Sequence, residues 1–208
     1  MEAKLKVCGL REAANIAAVA ELQPDYMGFI FYPQSPRCIS EVSAELIKYV
    51  PSSIKTTGVF VNEELEKVVA DVIRYNLKAV QLHGHEDAAY CDAVAATGAT
   101  VIKAFGIGDD FDFEQLKAYE PVVDYFLFDT QTSVHGGSGK VFDWTLLAKY
   151  TLDKRYFLSG GIGLEQVETL KQLNDPRLYA IDVNSKFELA PGLKDVAQLK
   201  EFITLMRN

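Results

Sequence analysis

Short apolar runs recur along the chain at intervals of 21 to 30 residues. Several of them, such as Tyr125-Phe126-Leu127-Phe128, are apolar at consecutive positions. Consecutive apolar positions are typical of strands covered on both faces, as in a parallel sheet. We therefore expect eight strands, which are Leu5–Cys8, Tyr26–Phe31, Lys55–Val61, Ala79–Leu82, Thr100–Phe105, Tyr125–Asp129, Arg155–Leu158 and Ala180–Val183.

Amphipathic helices are expected between these runs. Two apolar stripes at helical spacing show the pattern: Leu65, Val68, Val69, Val72 and Ile73, and Val196, Leu199, Phe202, Ile203 and Met206. Asn62, which is followed by two acidic residues, is the expected N-cap of the first of these helices. Another helix is expected over Asp87–Thr97, with Cys91 on its buried side.

Eight alternating strand and helix units are what a (β/α)8 barrel, or TIM barrel, requires, so we expect the α/β class and this fold. No linker, low-complexity tract or charged block divides residues 1–208, and one barrel domain is expected over the whole chain. A doubly wound open sheet is the structural alternative. Its Gly-rich phosphate loop would follow the first strand, where this chain has only Cys8-Gly9-Leu10-Arg11.

Composition and charge narrow the choice of partner. The net charge is −8, from 29 acidic and 21 basic residues, which argues against nucleic acid or an anionic membrane as a partner. A small anionic ligand is compatible with this charge, because a few local cations and backbone amides can bind one. The three cysteines do not form a disulfide pattern, and no signal peptide or long apolar span is evident. We expect a cytoplasmic protein, as a monomer or a homodimer.

Candidate catalytic residues lie at the ends of the predicted strands, where barrel enzymes carry their chemistry. Cys8 ends the first strand, although a lone cysteine is more often a small buried apolar residue. Asp129 ends an aromatic strand, where partial burial would raise its pKa and suit it to general acid catalysis. Its alternative role is to order the next loop by accepting backbone hydrogen bonds.

Glycine-rich segments near the last strands predict a phosphate site. Gly160 and Gly161 precede a helix expected to begin near Leu164, and glycine lets a backbone approach an anion closely. The loops after the seventh and eighth strands commonly bind phosphate in barrels. The expected phosphate-binding residues are therefore Gly160, Gly161, Asn184 and Ser185, together with Gly137 in the loop after the sixth strand. The alternative is that these glycines only form tight turns.

Three further polar residues fall at the same end of the barrel. Arg37, in a loop stiffened by two prolines, is expected to bind a carboxylate or phosphate in bidentate fashion. The alternative is a surface arginine paired with Glu41 or Glu45. His83 and Asp182 also lie at predicted strand ends, and Asp182 could simply orient the loop near the phosphate. The chain has only three histidines, and we expect neither a metal nor another cofactor.

Taken together, these strand-end motifs resemble those of the phosphoribosylanthranilate isomerase family of tryptophan biosynthesis, from Lys6 to about Asp195. The matching segments are Lys6-Val7-Cys8-Gly9, Gly28-Phe29-Ile30-Phe31, Ser35-Pro36-Arg37, Gln81-Leu82-His83-Gly84, Phe128-Asp129-Thr130, Gly136-Gly137-Ser138-Gly139-Lys140, Phe142-Asp143-Trp144, Ser159-Gly160-Gly161, Asp182-Val183-Asn184-Ser185 and Pro191-Gly192-Leu193-Lys194-Asp195. The sequence departs from the family pattern at Arg11, where Thr or Ser is common, and at Lys186, where Gly is common.

The resemblance implies an Amadori rearrangement of N-(5-phosphoribosyl)anthranilate to 1-(2-carboxyphenylamino)-1-deoxyribulose 5-phosphate. It implies Cys8 as the general base, Asp129 as the general acid and Arg37 as the ligand of the anthranilate carboxylate. It implies phosphate binding by Gly160, Gly161, Asn184 and Ser185, supporting roles for His83 and Asp182, and no cofactor.

Three rival functions share the expected barrel and phosphate site. Indole-glycerol-phosphate synthase would need a set of catalytic lysines and usually has a longer chain. Ribulose-phosphate epimerase would need several His and Asp metal ligands. A barrel that binds a sugar phosphate without turnover is the third, and the presence of both Cys8 and Asp129 argues against it.

Overall fold

Eight parallel strands form a closed barrel in the structure of this protein, a computed structural model that describes residues 3–130 and 142–207. The strands are β1 (Lys4–Val7), β2 (Tyr26–Ile30), β3 (Lys55–Phe60), β4 (Ala79–Leu82), β5 (Thr100–Ile107), β6 (Tyr125–Thr130), β7 (Tyr156–Leu158) and β8 (Leu178–Val183). The order follows the chain, and β1 closes the barrel against β8 from Lys4 opposite Ala180 to Val7 opposite Val183. The predicted fold class is confirmed, and each predicted run overlaps one of these strands.

Helices connect the strands and cover the barrel. The α-helices are α1 (Ala13–Glu21), α2 (Glu41–Ala44), α3 (Leu65–Tyr75), α4 (Ala88–Ala95), α5 (Val167–Gln172) and α6 (Val196–Arg207). Short 3-10 helices lie at Ile47–Tyr49, Phe113–Ala118, Trp144–Lys149, Leu164–Gln166 and Ser185–Phe187. A two-stranded hairpin, β9 (Glu188–Ala190) and β10 (Leu193–Lys194), follows β8. Within the described ranges, none of the helices has the length and apolar character needed to cross a membrane.

The start of α3 differs from the prediction. Asn62 does not cap the helix; it adopts a positive φ of 49°, and its side chain accepts a hydrogen bond from the backbone N–H of His85 at 2.6 Å. The carboxamide therefore joins the loops after β3 and β4. The buried face also differs, because Ile73 is exposed whereas Val68, Val72 and Tyr75 are buried.

The barrel interior is divided along its axis. A separate apolar cluster fills the end where the strands begin, and its members include Tyr26, Ala79, Ile102, Leu127 and Phe157. Tyr26 packs edge-to-face on Phe157, with the ring centroids 5.2 Å apart. Buried polar side chains lie further along the same strands. The apolar cluster closes one end of the barrel, so a ligand would enter from the end where the strands finish.

Candidate active site

Cys8 directly follows β1, and its thiol is almost completely buried, at 4% exposure. Gly28 on the neighbouring strand makes room for it, because a Cβ atom on Gly28 would lie only 2.7 Å from the sulfur. Burial raises the pKa of the Cys8 thiol, while the positive charges of Lys6 and Lys194 act against that rise. The structure therefore places this predicted residue at the expected end of the barrel, beside two lysines that favour its thiolate form.

Lys6 lies two residues before Cys8 on the same face of β1 and is fully buried. Its ammonium donates hydrogen bonds to Asp182 Oδ2 at 2.7 Å and to Gln81 Oε1 at 2.8 Å. Burial alone would lower the pKa of Lys6, but the charges of Asp182 and Cys8 raise it, so the amine stays protonated. Asp182 is also buried, which raises its pKa, and its Oδ1 atom has no hydrogen-bond partner among the described residues.

Asp129 and His83 face each other at the mouth of the barrel. His83 Nε2 lies 3.5 Å from Asp129 Oδ2, and each side chain is about a quarter exposed, at 28% and 26%. Gln81 Nε2 lies 3.3 Å from His83 Nδ1 and is the donor of that pair, which places the proton of a neutral imidazole on Nε2, toward Asp129. The backbone N–H of Thr130 donates to Asp129 Oδ1 at 2.8 Å.

The environment of Asp129 shifts the pKa of its carboxyl group. Burial raises its pKa to about 6, against the opposing effects of the Thr130 N–H and the charge of Lys6. The expected direction of this shift is present, but the shift leaves Asp129 mostly ionised at neutral pH in the free protein. A minor protonated fraction is still large enough to act as an acid, because the pKa is close to neutrality.

Arg37 belongs to a second polar cluster between the loops after β2 and β8. Its Nε and Nη2 atoms donate to Glu188, the shortest bond being 2.7 Å from Nη2 to Oε2. Lys194 donates to the same carboxylate at 2.7 Å and to Asn184 Oδ1 at 2.7 Å. The expected alternative partners are not used, since Glu45 binds Lys48 and Arg74 instead. Arg37 Nη1 has no hydrogen-bond partner in the described part of the chain and is the edge left for a ligand.

The predicted phosphate loop follows β7, next to Asp129. Gly160 and Gly161 have φ values of 95° and 63°, a region that glycine enters freely. Packing alone requires glycine at Gly160, because a Cβ atom there would lie 2.7 Å from the backbone nitrogen of Thr130. The segment Leu164–Gln166 that follows is a 3-10 turn and leads into α5, so the predicted helix starts where expected but is short.

The other residues near the predicted phosphate site are Asn184, Ser185, Gly137 and Lys186. Asn184 directly follows β8 and Ser185 begins the next 3-10 turn, and both are half-buried. Gly137 lies outside the described residues. Lys186, near the predicted phosphate loop, is paired with Glu165 at 3.2 Å.

Cys38 follows Arg37 in the loop after β2, and its thiol donates to the backbone carbonyl of Ile39 at 3.6 Å. Cys91 is fully buried in α4, as predicted, and Cys38 is half-buried. Over residues 3–130 and 142–207, no three His, Cys, Asp or Glu side chains are grouped as metal ligands.

Lys6, Glu188 and Lys194 are the residues that sequence reasoning missed. Each is a buried charged side chain that binds a predicted site residue: Lys6 binds Asp182, Glu188 binds Arg37, and Lys194 binds Asn184. The signal for Lys6 was present in the alternation of β1, which turns Lys6 and Cys8 to the same face. Glu188 and Lys194 belong to a hairpin that the apolar pattern did not reveal.

Fold and site geometry together have the form expected of a (β/α)8-barrel enzyme that works by general acid–base catalysis. Residues 5–205 match the family model described as N-(5'-phosphoribosyl)anthranilate (PRA) isomerase. The chain belongs to this family, whose members are isomerases of tryptophan biosynthesis.

Individual relatives agree with the family model. The N-(5'-phosphoribosyl)anthranilate isomerase of Parabacteroides distasonis is 44% identical over 201 residues, which cover 96% of this chain and 91% of the relative. A phosphoribosyl anthranilate isomerase solved in complex with reduced 1-(o-carboxyphenylamino)-1-deoxyribulose 5-phosphate superposes with a TM-score of 0.84 at 34% identity, covering 99% of this chain and 98% of the other. A structure of monomers of the dimeric Thermotoga maritima isomerase superposes with a TM-score of 0.83 at 33% identity, covering 99% of both chains.

Proposed function

We propose that this chain converts N-(5'-phosphoribosyl)anthranilate into 1-(2-carboxyphenylamino)-1-deoxyribulose 5-phosphate, with Asp129 as the general acid and Cys8 as the general base. The observation that carries this proposal is the placement of both groups at one end of the barrel, linked through Lys6. Lys6 interacts with the Cys8 thiol and also acts through its charge on Asp129. One acid and one base within reach of the same small substrate are what this rearrangement needs.

The proposed reaction has two proton transfers. Asp129, partly exposed at the mouth, donates its proton to the furanose ring oxygen, and the C1–O bond breaks to give an open-chain iminium ion. The Cys8 thiolate then removes the proton from sugar C2, and the C2–H electron pair neutralises the iminium. The resulting enolamine tautomerises to the ketose. The proton lost by Asp129 is balanced by the one taken up at Cys8.

Substrate binding uses the groups that surround this pair. Arg37, held by Glu188 through Nε and Nη2, offers Nη1 to the anthranilate carboxylate. The phosphate binds at Gly160, Gly161, Asn184 and Ser185, with Gly137 from the loop after β6. Asp182 Oδ1, which has no hydrogen-bond partner among residues 3–130 and 142–207, accepts a hydrogen bond from a substrate N–H or hydroxyl group, and His83 steadies Asp129.

The state of the protein in the cell is part of the same proposal. We expect one barrel domain over residues 1–208, located in the cytoplasm and active as a monomer or a homodimer. Multi-angle light scattering across a concentration series distinguishes the two oligomeric states.

A fluorescence time course with freshly made phosphoribosylanthranilate tests the proposed reaction, because the substrate is fluorescent and the rearranged product is much less so. The assay is run after EDTA treatment, and we expect the fluorescence to decay at an undiminished rate. Activity that is lost with EDTA and restored by a divalent ion would contradict a cofactor-free mechanism. Tight binding of the product analogue without any decay would favour a barrel that binds sugar phosphates without turnover.

A further inference from the structure

We propose that Lys6 is the positioning residue for Cys8: its buried ammonium supplies the positive charge that lets the neighbouring thiol become a thiolate. This inference rests on the proposed function, in which Cys8 is the general base. It assigns a purpose to a lysine that is fully buried inside the barrel.

The geometry fixes the ammonium from two sides. Asp182 on β8 and Gln81 on β4 accept hydrogen bonds from Lys6 Nζ at 2.7 and 2.8 Å. An ammonium has three N–H donors, so these two contacts leave one. Cys8, directly after β1, lies two residues beyond Lys6 and on the same face, and the two groups interact through their charges. The third donor is therefore the one available to the sulfur.

Burial of an unpaired lysine is costly, so its retention in the barrel needs partners. Asp182 balances the charge of Lys6, and its own Oδ1 atom has no hydrogen-bond partner in the described residues. A purely structural ion pair would place all its polar atoms in hydrogen bonds. In the described residues this pair instead leaves one N–H of Lys6 and one oxygen of Asp182 without a hydrogen-bond partner, which is the arrangement expected of groups that serve a neighbouring reactive group or a bound substrate.

The charges around the thiol favour Lys6 as the group in control. Lys6 and Lys194 both stabilise the thiolate, whereas Asp182 opposes it. Lys6 stabilises the thiolate more strongly through its charge than Lys194 does, and the ammonium of Lys194 is held by Glu188 and Asn184. The charges of Asp129 and His83 act on Asp182, and neither is among the main causes of the shift in the pKa of Cys8. Of these charged groups, Lys6 is therefore the one whose removal should most hinder ionisation of the Cys8 thiol.

Direct titration of the thiol tests this without relying on turnover. The Cys38→Ser/Cys91→Ala background leaves Cys8 as the single thiol, since the chain has three cysteines. Thiolate formation is followed by ultraviolet absorbance against pH. Lys6→Met, which keeps the shape but removes the charge, should move the midpoint to higher pH by about one unit or more, a tenfold change in the ionisation constant. The midpoint of Lys6→Arg should lie between those of the wild type and Lys6→Met, because arginine keeps the charge.

Lys103→Met is the matched control for the titration. Lys103 is equally buried and paired with Glu86 at 3.1 Å, but it has no interaction with Cys8 in the described residues. Its loss should leave the Cys8 midpoint unchanged. If Lys6→Met does not fold because Asp182 is left unpaired, Lys6→Met/Asp182→Asn is compared with Asp182→Asn alone, and the double variant should still have the higher midpoint.

The outcomes separate this inference from the proposed function. In an active enzyme, Lys6→Met should lower kcat with little change in KM, and its thiol should ionise at higher pH. A folded Lys6→Met protein with an unshifted thiol midpoint, or with a shifted midpoint and unchanged kcat, would overturn the role of Lys6. A wild-type protein with no isomerase activity would overturn the proposed function itself, and the role of Cys8 as base would fall with it.

Discussion

Glu188 binds the guanidinium of Arg37 along one edge, with Nε 3.0 Å from both carboxylate oxygens and Nη2 2.7 Å from Oε2. The two side chains are only 10% and 4% exposed. They join the loop after β2 to the hairpin after β8 across the end of β1. Because Nε and Nη2 are occupied, the guanidinium is held in one orientation and presents Nη1 to a ligand.

Substitution of Arg37 should mainly raise KM, because a carboxylate clamp acts on the bound substrate and the transition state alike. Arg37→Lys keeps the charge but cannot bind Glu188 along an edge and reach a ligand at the same time. The loss of a charged hydrogen bond, worth about 1.5–3 kcal/mol, predicts a KM raised roughly 10- to 150-fold. Arg37→Ala should be worse. Steady-state kinetics on both variants, with Tm measured in parallel, check this expectation.

Glu188→Gln is the control for orientation. Its amide retains one acceptor for Arg37, so KM should rise less than in Arg37→Lys. Wild-type KM in both Arg37→Lys and Arg37→Ala would show that Arg37 has a structural role only.

The phosphate loop is tested best at Gly161. Its φ of 63° suits asparagine better than a β-branched residue, since asparagine tolerates the left-handed region. Gly161→Asn should fold but place a side chain where the backbone is proposed to approach the phosphate. We expect weaker binding of reduced 1-(o-carboxyphenylamino)-1-deoxyribulose 5-phosphate, measured by calorimetry.

Gly98→Asn is the matched control for that variant. Gly98 has a similar φ of 83°, and a Cβ atom there would meet nothing within 4 Å. It precedes β5, at the opposite end of the barrel from the site. Normal binding by folded Gly161→Asn would place the phosphate elsewhere.

The pH dependence of kcat/KM follows from the two shifted groups. Burial raises the pKa of Asp129 to about 6 and raises that of Cys8 above its ordinary value. Below about pH 6 both groups are protonated, so no base is available. Between the pKa values of Asp129 and Cys8, the two groups together hold one proton, and it lies mostly on Cys8. The active form, in which Asp129 is protonated and Cys8 is a thiolate, is therefore a minor fraction of the protein. Activity should therefore rise through about pH 6 and fall when Cys8 also ionises. A kcat/KM that decreases as pH rises through 6 would contradict this assignment.

The fold was predictable because its signal is local and repeated. Eight apolar runs gave eight strands, and both apolar stripes lie in helices. Errors arose where one residue type suits two roles. Asn62 has the chemistry of an N-cap and also tolerates a positive φ, and only the contact with His85 in the next loop decides between them. Ile73 lies at the edge of its stripe, where an apolar residue is as easily exposed as buried.

The candidate site was predictable at strand ends but not in its supporting groups. Cys8, Asp129 and Asp182 stand out because polar residues end apolar strands. Lys6 does not, because lysine is almost always exposed and its partner Asp182 is 176 residues away. The preference of Arg37 for Glu188 over Glu41 or Glu45 likewise depends on the hairpin after β8, whose position no local pattern specifies.

The central claim, that Asp129 is the acid and Cys8 the base of the rearrangement, is tested most directly by steady-state kinetics on Cys8→Ser and Asp129→Asn. Each substitution keeps the shape but removes the proton transfer, so kcat should fall by at least about 10²-fold while the product analogue still binds. Cys38→Ser and Cys91→Ala, which change the two thiols that have no role in the proposed proton transfers, should remain active. A folded Cys8→Ser or Asp129→Asn variant with near-normal kcat would contradict the account.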